Sequence, residues 1–196
     1  MNKYILIAIV AAALAGFGAY AQTAGTFKDS RDGKTYKTVK VGGKTWMAEN
    51  LNFVAKGSKC YGNNAGTCDM YGRLYNWDTA LKACPAGYHL PSDGEWTALT
   101  DAVGGEGIAG TKLKSADGWY DNGNGTDNYG WSALPGGVGY SDGSFGNAGD
   151  NGCWWSATEN AASSARGRYM FYDLGNVGWN YLNETYLCSV RCVQDN

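Results

Sequence analysis

The chain's single histidine, His89, stands in CPAGYHLPSDGEW, residues 84–96, with Cys84, Asp93 and Glu95 close by. An imidazole near carboxylates suits general acid–base chemistry, and a cysteine could supply a nucleophile. The order of residues argues against that use. Ser92 with Glu95 three positions later is a capping box, which satisfies the first backbone N–H groups of a helix. Trp96, Leu99 and Val103 then fall on one helical face. The stretch therefore reads as a joint between a short strand at 88–90 and a helix. No nucleophile with base and orienting partner is assembled around it, and no G-x-S-x-G, H-E-x-x-H or Walker sequence occurs elsewhere. Glu95, Asp101, Glu159 and Asp173 remain as acid–base material whose spacing in space the sequence does not give.

A second candidate is DNGNGTDNYG, residues 121–130, which gathers Asp121, Asn122, Asn124 and Asp127 with backbone carbonyls. Oxygen-rich, flexible loops suit calcium, although glycines at 123 and 125 break an EF-hand pattern. The same residues also make plain turns, because Asn and Gly accept left-handed backbone. A structural calcium ion and an unoccupied turn-rich loop both stand as readings.

Compartment follows from the two ends of the argument on cysteine. MNKYILIAIVAAALAGFGAYAQ begins with Lys3, continues as an apolar run and closes on Ala19-Tyr20-Ala21, the layout of a secretory signal peptide over residues 1–21. Six cysteines in an exported chain read as three disulfides. The absence of C-x-x-C and the single histidine speak against zinc. Cys60 and Cys68 are close enough to clip one loop on itself. With 16 basic against 18 acidic residues the net charge is −2, which argues against nucleic acid, a partner that calls for a basic face. No later stretch is apolar and long enough to span a membrane.

The elements that would position these residues are partly visible. After a Gly-rich lead-in at 22–34, the remainder, 35–196, is the size of one domain. Two runs around Gly42-Gly43 read as a β-hairpin. Residues 56–72 read as a loop. Leu74, Trp77 and Leu81 suggest a short helix that Pro85 and Gly87 end. From 104 to 152 the chain is rich in Gly, Asn, Ser and Asp, with core segments GWSALPGGV and GCWWSATE. Strand-like pieces at 168–174 and 186–193 flank YDLGNVGWNYLNETY, residues 172–186. That segment carries Tyr172, Asn176, Trp179, Asn180, Tyr181, Asn183 and Tyr186, the residue types of adaptable recognition loops. A Tyr-rich hairpin packed on its own sheet is the alternative. Trp46, Trp77, Trp96, Trp154 and Trp155 are expected in the core.

Taken together, DGKTYKTVKVGGKTWMAENLN, YGRLYNWDTA, CPAGYHLPSDGEW, GNGTDNYGWSALPGG, WWSATE and SVRCV resemble the Fibrobacter succinogenes major paralogous domain. That domain is similar to the C-type-lectin-like fold, in particular its formylglycine-generating branch. The resemblance implies an α+β domain with a small twisted antiparallel sheet, two helices and long disulfide-tied loops. It implies bridges Cys84–Cys192 and Cys153–Cys188, calcium near a segment like Asp127–Tyr129, and a ligand face before the last strand. Relatives that oxidise cysteine hold copper on a cysteine pair of which only Cys188 has a counterpart here. The sugar-binding Glu-Pro-Asn and Trp-Asn-Asp signatures are missing.

These readings converge on a secreted or surface-exposed, non-catalytic binding module for glycan or protein partners. A structural or adhesion subunit of a cell-surface assembly is the second expectation, and an enzyme the third.

Overall fold

The computed structural model describes residues 24–196, so the expected signal peptide at 1–21 lies outside the described residues. In chain order the elements are β1 (Ala24–Lys28), β2 (Thr35–Val41), β3 (Lys44–Met47), α1 (Ala65–Tyr71), β4 (Leu74–Tyr75) and α2 (Trp77–Ala83). There follow β5 (Tyr88–His89), α3 (Asp93–Ala102), α4 (Glu106–Leu113), β6 (Gly136–Gly139), β7 (Phe145–Ala148) and β8 (Asn151–Ala161). The last are β9 (Ser164–Phe171), β10 (Gly178–Asn183), β11 (Cys188–Ser189) and β12 (Val193–Gln194).

Among the described residues two sheets form in place of the single small sheet expected, and four α-helices in place of two. The five-stranded sheet runs β1-β2-β3-β12-β5. Its hairpin turns at Gly42 and Gly43, whose φ values of 61° and 81° suit a tight primed turn that side chains resist. Part of the lead-in is structural too, because β1 pairs antiparallel with β2. The seven-stranded sheet runs β10-β9-β8-β11-β4, with β6 joined to β8 and β7 to β6. It is not purely antiparallel: β11 and β6 each meet β8 in parallel. The loop expected at 56–72 contains α1, and the 172–186 segment contains β10, which pairs with β9 along its length.

The capping box forms as expected. Ser92 accepts from the Glu95 N–H, and Glu95 reaches back to the Ser92 N–H. Two apolar clusters hold the layers together. In one, the indoles of Trp46, Trp96, Trp131 and Trp154 contact one another with centroids 5.5–6.2 Å apart in tilted or edge-on geometry, the arrangement ring quadrupoles favour. Arg191, fully buried, lies over Trp131 at 3.9 Å. It donates to Asn50 Oδ1 and to the carbonyls of Met47, Trp131 and Ser132. Burial pulls its pKa down to about 9, outweighing the charges of Asp127 and Glu49, so it remains a cation at neutral pH. Trp77 and Trp155 join Met47, Leu51, Tyr75 and Val190 in the other cluster.

Cys60–Cys68 and Cys84–Cys192 are disulfides. The third expected bridge is corrected: Cys153 and Cys188 are buried thiols. The parallel register of β8 and β11 aligns Trp154 with Ser189. It therefore sets the two cysteines opposite each other, in hydrogen-bond contact within an apolar cluster. There each sulfur packs as a small apolar group. Burial first, then that contact, pushes the Cys188 thiol well above its ordinary value, which disfavours the thiolate needed for nucleophilic or redox chemistry.

Candidate binding cleft

Side chains alternate along a strand, and that alternation divides the seven-stranded sheet into two unlike faces. On one face Arg166 and Arg168 of β9 reach Asp93 at the start of α3, and Trp154 of β8 enters the tryptophan cluster. The opposite face carries Asn151 and Cys153 from β8, Tyr169 and Phe171 from β9, and Asn180 and Leu182 from β10. These six, with Val138, Tyr140, Asn147 and Tyr186, line an open cleft of about 260 Å³. Its volume lies just below the usual small-molecule range of about 300–1,000 Å³.

Two glycines make room for this face. A Cβ at Gly178 would collide with the Tyr169 ring, and one at Gly167 with Leu182. Tyr169 thus lies across the β10 backbone, its hydroxyl donating to the Trp179 carbonyl at 3.1 Å. It meets Phe171 at 5.2 Å between centroids, and Tyr140 meets Tyr186 edge-on at 5.4 Å. The four rings are half-buried, with the amides of Asn147 and Asn180 exposed between them. No charged side chain lines the cleft.

Asn151 is the unusual member. It is 8 % exposed, and its Oδ1 is buried without a hydrogen-bond partner. An unpartnered buried acceptor costs about 1–3 kcal/mol. The indole N–H groups of Trp96 and Trp131 are also unpartnered, but they sit among neighbouring rings, whose faces act as weak acceptors. Asn151 forms part of the cleft's floor, with its Oδ1 closed to solvent.

The ligand residues expected from sequence are not gathered in one place. Asn180 and Tyr186 line the cleft. Trp179 and Tyr181, each 41 % exposed, are on the other face of β10. There the Arg166 guanidinium lies 4.1 and 5.2 Å from their centroids and donates to the Tyr181 hydroxyl. Asn183 caps the following turn by accepting from Thr185. Tyr172 meets Tyr120 edge-on at 5.5 Å, and the Asn176 carbonyl lies against Gly110. Tyr140, Asn147, Asn151, Tyr169 and Phe171 were not anticipated. Tyr169 and Phe171 did carry a signal, since they alternate with Arg168 and Met170 in a recognisable strand.

In the loop proposed for calcium, Asp121 and Asn122 form a tight turn at φ values of 46° and 58°. Asn124 Oδ1 accepts from the Trp119 N–H, and both Asp127 oxygens accept from Ser132. Among the described residues, no three His, Cys, Asp or Glu side chains gather as a metal group.

His89 serves the joint. Its Nδ1 contacts Asp195 Oδ1 at 2.5 Å and its Nε2 contacts Glu95 at 3.0 Å, while Lys44 meets the same Glu95 at 3.1 Å. Partial burial would raise Glu95, but hydrogen bonds from Ser92, His89 and Lys44 outweigh it and hold the carboxyl at about 2. The set ties β5, α3 and the segment after β12 together.

No helix among the described residues is long and apolar enough to cross a membrane. No curated protein and no solved structure matches the chain. The model of the Fibrobacter succinogenes major domain matches residues 39–194, and the chain belongs to that family.

Proposed function

We propose that this chain is an exported, non-catalytic binding module that takes a neutral glycan in the aromatic cleft. The observation that carries the reading is a cleft walled by four half-buried aromatic rings with the exposed amides of Asn147 and Asn180 between them. Exposed amides call for a ligand with hydrogen-bonding groups, and half-buried rings call for flat apolar surface. A sugar offers both, hydroxyls at its edge and C–H groups on its face. The uncharged lining favours a neutral sugar over an acidic one. Export is supported by the signal-like residues 1–21 and by two disulfides. The fold is read as C-type-lectin-like, with Cys84–Cys192 as the long bridge between the first helices and the last strand.

The test is saturation-transfer NMR with a panel of methyl glycosides of neutral hexoses and pentoses. Saturable binding is expected, lost in Asn180→Ala and retained in Trp179→Ala, whose side chain is on the opposite face. Failure of every glycoside to bind, or loss in Trp179→Ala alone, would overturn the reading.

A further inference from the structure

We infer that the cleft is one half of a two-part groove and that its occupant is a saccharide of at least two units. This rests on the glycan reading above. Beyond the Tyr140–Tyr186 pair lies a second hollow of about 320 Å³, lined by those two rings with Ser141, Asp142 and Ser144. Both tyrosines line both spaces, so the edge-on pair is the partition between adjoining subsites. The first space falls just below the usual range for a ligand pocket and the second at its lower edge, and the two together fall well inside it.

The two halves differ in chemistry. The first is aromatic, with the exposed amides of Asn147 and Asn180. The second is polar and rimmed by hydroxyls. Ser141 Oγ is hydrogen-bonded to Thr185 Oγ1, which joins the β6–β7 turn to the turn after β10 and fixes the rim. Asp142 accepts from the backbone N–H and the hydroxyl of Ser144, which orients its carboxylate at the mouth. An ionised carboxylate there accepts hydroxyls from a neutral sugar and repels an acidic one. It therefore selects in the same direction as the uncharged cleft. One unit lies on Tyr169 and Phe171 with a hydroxyl on the Asn180 amide, and the next lies past the tyrosine pair with hydroxyls on Asp142.

Isothermal titration calorimetry compares glucose and mannose with maltose, cellobiose and mannobiose. At least one disaccharide is expected to bind about tenfold more tightly than its own monosaccharide, the gain of one further set of stacking and hydroxyl contacts. Asp142→Ala is expected to bring that ratio back toward one, while Trp179→Ala leaves it unchanged. Equal affinities for disaccharide and monosaccharide, or an unchanged ratio in Asp142→Ala, would overturn the two-subsite inference and leave the cleft reading standing. Absence of binding by all five sugars would overturn both.

Discussion

Replacing Asn151 with Leu should stabilise the protein and leave the aromatic wall of the cleft in place. The unliganded fold carries the Asn151 Oδ1 buried and unpartnered, at a cost of about 1–3 kcal/mol. Leucine has a similar shape, needs no partner and places apolar surface beside Phe171 and Cys153 in the same lining. Asparagine is also disfavoured in strands. Against this stands the strain of exchanging a planar amide for a bulkier tetrahedral branch in a packed strand, which reduces the gain. A net stabilisation of about 1–2 kcal/mol follows, or a rise in Tm of about 2–8 °C for a domain of this size. Differential scanning calorimetry reads the first effect. Titration with the tightest-binding methyl glycoside reads the second, and affinity is expected to stay within about threefold. If the variant is less stable by more than about 1 kcal/mol, the Asn151 oxygen is satisfied in the native fold and the orphaned-acceptor argument fails.

Arg191→Met should be severe, because it removes the donors of the Trp131 and Ser132 carbonyls without removing those acceptors, while Asn50 Oδ1 keeps the Trp154 indole N–H. Urea denaturation should show a loss of about 2–6 kcal/mol for the two orphaned acceptors, and a loss below about 1 kcal/mol would refute the account. His89 gives a pH signature. Partial burial lowers its pKa, but Asp195 and Glu95 together raise it above the ordinary value. Its stabilising contribution is therefore complete below the unfolded value of about 6.5 and is lost as pH rises through the higher folded pKa. The urea midpoint of the native protein should fall across that window, and His89→Gln should flatten the fall; parallel pH profiles would contradict this. Maleimide added without reductant should leave the native protein unlabelled and place two labels after denaturation, on Cys153 and Cys188. A cross-linked 153–188 peptide would contradict the thiol assignment.

What could be read from the sequence was what is decided locally. The Gly42-Gly43 hairpin, the Ser92–Glu95 capping box and the Cys60–Cys68 ring each depend on residues within about ten positions, and each formed. β10 was hidden because Gly178, Asn180 and Asn183 are poor strand formers. Its order comes from pairing with β9 and from Tyr169 lying over Gly178, a contact that replaces intrinsic preference with tertiary context. The cleft was illegible for a related reason. Asn151, Tyr169 and Tyr186 come from separate segments, and only the register of three strands with the β6–β7 hairpin sets them together. The expectation that Trp179, Asn180 and Tyr181 act as one surface overlooked a strand's alternation, which separates neighbours in sequence onto opposite sides.

The position of β12 has a consequence for biosynthesis. Val193 pairs with Trp46 on one side and His89 on the other, so the five-stranded sheet exists only as two unjoined parts until that residue has left the ribosome. Completion of that sheet must then wait for every residue up to 193, and strand partners about 150 positions apart make the search slow. A nascent chain held in that state stays open and threadable for as long as translation lasts.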